Sequence, residues 1–163
     1  VMHGRSRACR FKGSALPARL QEVTKQLRVP LLVNGDIVDA ATARQALRAS
    51  GAQGVMIGRA AMGQPWLFAE LLGRPLPDLD QRLDVIYKHL QMMHTFYGSE
   101  SGARIARKHM QAYLQRWGAN QIAAEFMPLL DGVAQCHWFE QQRQRLLDMA
   151  HGQQSQRKEQ AAA

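Results

Sequence analysis

Across residues 30–66 the chain alternates a short apolar run, a helix-like stretch and a second apolar run, and this alternation restricts the fold more than any other feature. Pro30-Leu31-Leu32-Val33 lacks polar alternation, as expected of a parallel strand covered on both faces. Polar residues begin only at its carboxyl end, in Asn34-Gly35-Asp36. Asp39 is placed as an N-cap to the alanine-rich stretch 40–48, and Gly51 is placed to stop that helix. Gly54-Val55-Met56-Ile57 supplies the next apolar strand. Gly58-Arg59-Ala60-Ala61 follows at once, where a helix N-terminus would present unpaired backbone N–H groups.

In (β/α)8 barrels a ligand phosphate is often held by the loops after the last two strands and a short extra helix. The spacing of Gly35, Gly58 and Arg59 fits that arrangement: the glycines would let main chain approach an anion, and the arginine would offer a planar cation. The same glycines also suit two plain tight βα turns, and spacing leaves both readings open.

At 163 residues the chain can hold one ordinary domain or two small ones. Its net charge of +8, with a pI near 10.2, favours polyanionic partners such as nucleic acid and is equally compatible with simple solubility. Residues 1–73 carry ten Lys and Arg against four Asp and Glu, whereas residues 74–163 carry eleven against nine, so the excess sits in the strand-bearing half. The two cysteines, Cys9 and Cys136, are far apart and outside any CxxC pair, so neither a disulfide framework nor a metal site is expected. No apolar stretch approaches the ~20 residues of a membrane span, and no signal-peptide pattern is visible, so a cytoplasmic location is expected.

Taken in order, Val1-Met2 reads as a strand stub running into the loop of residues 3–13, which holds His3 and four cations, Arg5, Arg7, Arg10 and Lys12. That loop is either an imidazole beside a ligand with a cationic rim or a solvated basic loop. Residues 16–28 should form a helix with Leu20, Val23 and Leu27 on one face, and residues 64–72 another, with Pro65 in its first turn and Gly73 beyond its end. Only three candidate strands are present, less than half of a barrel.

Arg74-Pro75-Leu76-Pro77-Asp78 is a rigid linker, and beyond it the pattern is helical only. Leu83, Ile86, Tyr87, Leu90 and Met93 follow helical spacing up to Gly98. The helix expected over 101–117 has an apolar face of Ala106, Met110, Tyr113, Leu114 and Trp117. Its opposite face holds Arg104, Arg107, Lys108, Gln111 and Gln115, either solvated surface or a strip that meets phosphates. His109 lies between the faces in a structural position. Helices over 121–130 and 135–149, parted at Asp131-Gly132, complete a compact four-helix bundle. Adjacent on a helix, Cys136 and His137 point apart and make a poor metal pair, and residues 152–163 read as a disordered tail.

Five motifs occur in order: His3-Gly4-Arg5-Ser6-Arg7-Ala8-Cys9, Asn34-Gly35-Asp36-Ile37, Met56-Ile57-Gly58-Arg59-Ala60-Ala61, Pro65-Trp66, and Arg104-Ile105-Ala106-Arg107-Lys108-His109. Together they resemble the flavin-dependent tRNA-dihydrouridine synthases, most nearly the bacterial B-type, with Ser6 where that family usually has threonine. The resemblance implies an α/β plus all-α fold. Residues 1–73 would be the carboxyl-terminal part of an FMN-binding (β/α)8 TIM barrel, and residues 74–151 a small helical bundle that binds tRNA. It further implies that His3, Asn34, Gly35, Asp36, Gly58 and Arg59 contact FMN, and that Arg5, Arg7, Arg10, Lys12, Arg104, Arg107 and Lys108 meet RNA. The implied reaction is reduction of a tRNA uridine to 5,6-dihydrouridine with NADPH as reductant. Its proton-donor cysteine belongs to an earlier barrel strand, so no catalytic residue is expected in this chain, and the chain alone is expected to be inactive. The alternative is a non-catalytic tRNA-binding helical module with a barrel remnant. A full-length protein of this kind would be monomeric, whereas the isolated chain, with unpaired strand edges, is expected to self-associate.

Overall fold

The structure is a computed structural model that describes the backbone of residues 1–9 and 12–162, and side chains through residue 152. The chain divides into two compact units, Val1–Leu76 and Pro77–Ala163.

The first unit is built on three parallel strands in the order β1 (Met2–His3), β2 (Leu32–Asn34), β3 (Gly54–Met56). Met2 pairs with Val33 and Val33 with Val55, while His3 pairs with Asn34 and Asn34 with Met56. Paired residues share a face, so the register sorts the sheet into two sides. Met2, Val33 and Val55 face a core of Leu20, Leu31, Ile37, Ala43 and Ala46. The other side carries His3, Leu32, Asn34, Gly54 and Met56, and there Leu32 is 38% and Met56 41% exposed. Coverage on both faces, expected from the apolar run, is therefore met on one face only.

Helix α1 (Gln21–Gln26) follows a 3-10 turn over Pro17–Leu20, so the continuous helix expected over 16–28 is broken and short. Val29 precedes Pro30, which disfavours helical backbone at residue 29, and the chain is already extended at Leu27. Leu20 reaches the core, while Val23 and Leu27 remain partly exposed. Helix α2 (Ala40–Ser50) forms as expected. Asp39 and Thr42 make a reciprocal capping box, Gly51 takes the left-handed φ of 69°, and Ala43 and Ala46 let the helix lie close on the sheet. After β3 the anticipated helix N-terminus is a single 3-10 turn over Arg59–Ala61. Gly63 at φ 75° and Pro65 interrupt any continuation, so α3 spans only Leu67–Leu71.

The second unit is helical throughout. An Asp78–Gln81 capping box starts α4 (Leu79–Tyr97), and Gly98 joins it to α5 (Ser99–Arg116). A Cβ on Gly102 would lie 2.7 Å from the Met93 carbonyl oxygen and 2.8 Å from His94 Cα, so only glycine lets these two helices approach so closely. Helix α6 (Asn120–Phe126) ends before Pro128, earlier than expected. Helix α7 (Gly132–Ala162) starts earlier and runs through the residues read as a tail, which are rich in Gln, Arg, Lys, Glu and Ala and hold no proline. Helix α5 packs against α4, α6 and α7, and α4 also against α7. The apolar face expected on α5 is buried at every one of its five positions, together with Leu83, Ile86, Leu90, Met93, Ile122, Phe126, Phe139 and Leu146.

Candidate functional site

Parallel strands place their carboxyl ends side by side, and here those ends carry His3, Asn34-Gly35-Asp36 and Met56 through Arg59. The loop after β1 departs and returns at Gly4, whose N–H donates to the Asn34 carbonyl (2.9 Å) and whose carbonyl accepts from Leu16 N–H (2.9 Å). Between these points Arg5 folds back into its own loop. Its Nε and Nη2 donate to the Gly13 carbonyl (3.1 and 2.5 Å), and Nη2 also donates to Asp36 Oδ2 at 2.6 Å.

Only 7% of the Arg5 side chain is exposed, and Nη1 is buried without a hydrogen-bond partner among the described residues. Arg5, expected among the RNA contacts, is thus turned inward onto the end of β2. Asp36 Oδ2 also accepts from Ala15 N–H (2.8 Å). That bond, then Arg5 and the charge of Arg59, holds the carboxyl below its usual range.

The geometry around Gly35 explains why this position tolerates nothing larger. At φ 125°, a Cβ would fall 2.7 Å from Ala15 Cβ and 3.1 Å from His3 Cε1. The missing side chain lets the imidazole and the returning loop rest on main chain. Arg5 N–H donates to His3 Nδ1 (3.0 Å), so the neutral ring carries its proton on Nε2. Asn34 Nδ2 contacts Met56 Sδ across the bare face. Gly58 differs from Gly35: a Cβ there would meet nothing within 4 Å among the described residues. Bare main chain faces open space beside the exposed Arg59.

On the loop rim Arg7 and Lys12 are exposed, while Arg10 lies outside the described residues. Cys9 Sγ sits 3.2 Å from Ser6 Oγ, and this hydrogen bond lowers the thiol's pKa from its ordinary value.

In the helical unit Arg104, Lys108, Gln111 and Gln115 are exposed along α5, as the spacing predicts. Arg107 departs from that strip. It is half-buried, with Nη2 reaching the Leu129 carbonyl (3.4 Å) and Nε buried without a partner among the described residues. Together with Arg104, Glu100, Leu130 and Asp131 it lines a recess of about 430 Å³. His109 packs edge-on against His89, with ring centroids 5.1 Å apart, and His89 Nδ1 lies 3.1 Å from Tyr113 Oη. Burial lowers the pKa of both imidazoles and pushes the Tyr113 phenol up to about 12. Among the described residues no three His, Cys, Asp or Glu converge as a metal would need, and no helix is long and apolar enough to cross a membrane.

Sequence reasoning missed the Gly13 carbonyl and Ala15 N–H that organise the Arg5–Asp36 pair, because nothing local marks main-chain groups so distant in sequence from Asp36. It also missed Gln135, a buried amide whose only sequence signal is a polar side chain on the apolar side of α7.

A short parallel sheet with glycines and polar side chains gathered at its carboxyl edge defines an α/β unit, and the chain continues into a helical unit with a basic strip. Residues 1–149 match the dihydrouridine synthase family model, and the chain belongs to that family. It is 42% identical to the tRNA-dihydrouridine synthase B of Pasteurella multocida over 129 residues, 75% of this chain and 39% of that protein. It is 38% identical to that of Pseudomonas putida over 158 residues (90% and 47%) and 40% identical to that of Escherichia coli K12 over 144 residues (83% and 44%). The chain therefore spans less than half the length of these curated relatives.

Proposed function

We propose that this chain is the carboxyl-terminal part of an FMN-dependent tRNA-dihydrouridine synthase, contributing the last strands of a (β/α)8 barrel and a helical tRNA-binding domain. The observation that carries the proposal is the bare sheet face. A parallel sheet with Leu32 and Met56 exposed and His3 and Asn34 half-buried on one side has the layout of a barrel wall whose interior is completed by further strands. The site residues also suit the cofactor. The open main chain at Gly58 offers a cradle that a Cβ would occupy, and the orphaned, buried Arg5 Nη1 marks a donor in want of an acceptor.

Within this reading Gly58 and Arg59 hold the flavin phosphate, and Asn34, Gly35 and Asp36 line the ring side. Bound there, FMN reduced by NADPH supplies the hydride for a tRNA uracil ring. His3, its tautomer set by Arg5 N–H, presents an Nε2–H donor to ring or base. The Arg5–Asp36 pair, with the Gly13 carbonyl and Ala15 N–H, ties both ends of the loop to the end of β2, so His3 keeps its orientation while RNA enters over Arg7 and Lys12. Arg104 and Lys108 meet tRNA phosphates. No residue of this chain takes the proton-donor role: the Cys9 thiol is bound to Ser6 on the loop rim.

The test is made on the native polypeptide that contains this chain, purified and scored for bound flavin and for dihydrouridine formed in tRNA. Arg59→Ala is expected to lower flavin affinity by about 10- to 100-fold, the loss of a charge-assisted contact of roughly 1.5–3 kcal/mol. Unchanged flavin occupancy would remove Arg59 from the site.

A second reading, a tRNA-binding helical module without catalysis, is favoured by one observation: Arg104, Arg107 and Lys108 all lie within a unit that is compact by itself. It is expected to give RNA affinity that falls steeply with salt and persists when flavin is stripped. Loss of RNA binding with loss of flavin would exclude it.

A further inference from the structure

The helical unit contains a hydrogen-bonded chain that a solvent-facing strip does not require. Gln135, near the start of α7, is 0% exposed. Its Nε2 donates to the carbonyls of Ala103 (3.0 Å) and Leu129 (3.1 Å), and its Oε1 lies 2.9 Å from His94 Nε2. With both amide protons engaged, Oε1 can only accept, so His94 must donate from Nε2 and keep Nδ1 as an acceptor. Cys136 Sγ stands 3.6 Å from that Nδ1. Burial, aided by the charge of Glu140, raises the thiol's pKa, so it stays protonated and able to donate. At the far end the Leu129 carbonyl also accepts from Arg107 Nη2 (3.4 Å). Cys136, His94, Gln135, Leu129 and Arg107 are therefore linked in sequence across α4, α7, the turn before α7, and α5.

The chain is held rigidly at His94. A Cβ on Gly102 would fall 2.8 Å from His94 Cα, and one on Gly132 would fall 2.8 Å from His94 Cγ, so helix backbone presses on the residue from two sides. At the other end, Arg107 lines the 430 Å³ recess, with Nη2 tied to the Leu129 carbonyl and Nε buried without a partner among the described residues. An anionic oxygen entering the recess would meet the part of the half-buried Arg107 side chain that lines it. Of the two carboxylates there, Asp131 is directed to the start of α7, where Oδ1 accepts from Ala134 N–H (2.8 Å).

We propose that Gln135 and His94 are positioning residues for RNA binding: they fix the Leu129 carbonyl and, through it, hold the Arg107 guanidinium in the recess to receive one RNA phosphate. The proposal rests on the reading that α5 meets RNA. Gln135 itself touches no RNA.

The test measures tRNA affinity against salt concentration in the native polypeptide that contains this chain. Arg107→Gln and Gln135→Met are each expected to weaken binding about 5- to 10-fold. Each should reduce the magnitude of the slope of log K against log salt by about 0.7–0.9, the signature of one lost phosphate contact. The double variant should be no weaker than either single one, because both remove the same contact. A wild-type salt slope in Gln135→Met, whatever its melting temperature, overturns the proposal, as do fully additive losses in the double variant. If Gln135→Met does not fold, His94→Gln carries the expectation at about 2- to 3-fold with the slope moving in the same direction, and an unchanged slope there overturns it. If Arg104→Gln and Lys108→Gln weaken binding while Arg107→Gln does not, the positioning role alone fails. If none of the three weakens binding, the RNA-facing reading of α5 fails.

Discussion

The two units solve the same problem, placing polar side chains on an apolar scaffold, in opposite ways. In the helical unit the scaffold is finished: Leu83, Leu90, Ile122 and Phe126 are fully buried, and Gln135 is satisfied from inside. In the sheet unit one side carries exposed Leu32 and Met56, and the candidate site residues His3 and Asn34 stand on that side. Their order comes instead from a loop pinned by main-chain groups and one ion pair. A closed core can carry a polar network within it, whereas an open sheet must carry its polar residues at the strand ends, where a larger structure or a ligand can complete them.

That contrast can be broken most directly through packing. Phe126→Ala is expected to destabilise the helical unit by about 3–5 kcal/mol, and Leu32→Ala the sheet unit by less than ~1 kcal/mol, since Leu32 already meets solvent. Thermal unfolding followed separately in each unit would show it, and equal losses would mean that the bare face is covered in solution.

The two glycines sharpen the comparison within the sheet unit. Gly35→Ala should cost about 1–3 kcal/mol, because its Cβ would collide with Ala15 and His3 at a positive φ. Gly58→Ala meets no neighbour, so its expected effect is a loss of flavin retention exceeding any loss of stability. Denaturant titration beside a flavin-binding assay separates the two.

Smaller effects appear against pH. Both His89 and His109 have folded pKa values below the unfolded value, so the unfolded chain binds protons first. Stability of the helical unit should fall as pH drops through about 6.5 toward those lower values, and His109→Gln should flatten the fall. Asp36 is also depressed, but as an acid: its contribution is complete above about 3.9 and is lost as pH falls through its lower folded value. The sheet unit should therefore respond in a more acidic window, and only weakly, since Asp36 is partly exposed. Unfolding midpoints measured from pH 7 to pH 3 would test the order, and a shared window would contradict it.

Local chemistry was legible in the sequence wherever a motif satisfies itself. Asp39, Thr42 and Gly51 delimit α2 without outside help, and the apolar period of α5 fixes its buried face. What was not legible depends on residues far apart. Val23 and Leu27 have the right spacing for burial, yet α1 is too short to bring them onto the core. Arg5 reads as one cation of a basic loop until Asp36, 31 residues away, draws it inward. Arg107 and Lys108 are neighbours in sequence, but the turn at Leu129 captures only the first. Spacing gives the side of a helix on which a side chain stands, not the carbonyl that waits there.

The Asn34–Gly35 step has a consequence for chemical durability. In a free chain an asparagine followed by glycine is prone to cyclise and deamidate, because the glycine nitrogen can swing onto the side-chain carbonyl. Here Asn34 ends a strand with its backbone carbonyl held by Gly4 and its amide against Met56, and Gly35 is wedged under Ala15 and His3. These contacts hold the Gly35 nitrogen and the Asn34 amide in place, and the folded chain is expected to deamidate at this step more slowly than the unfolded one.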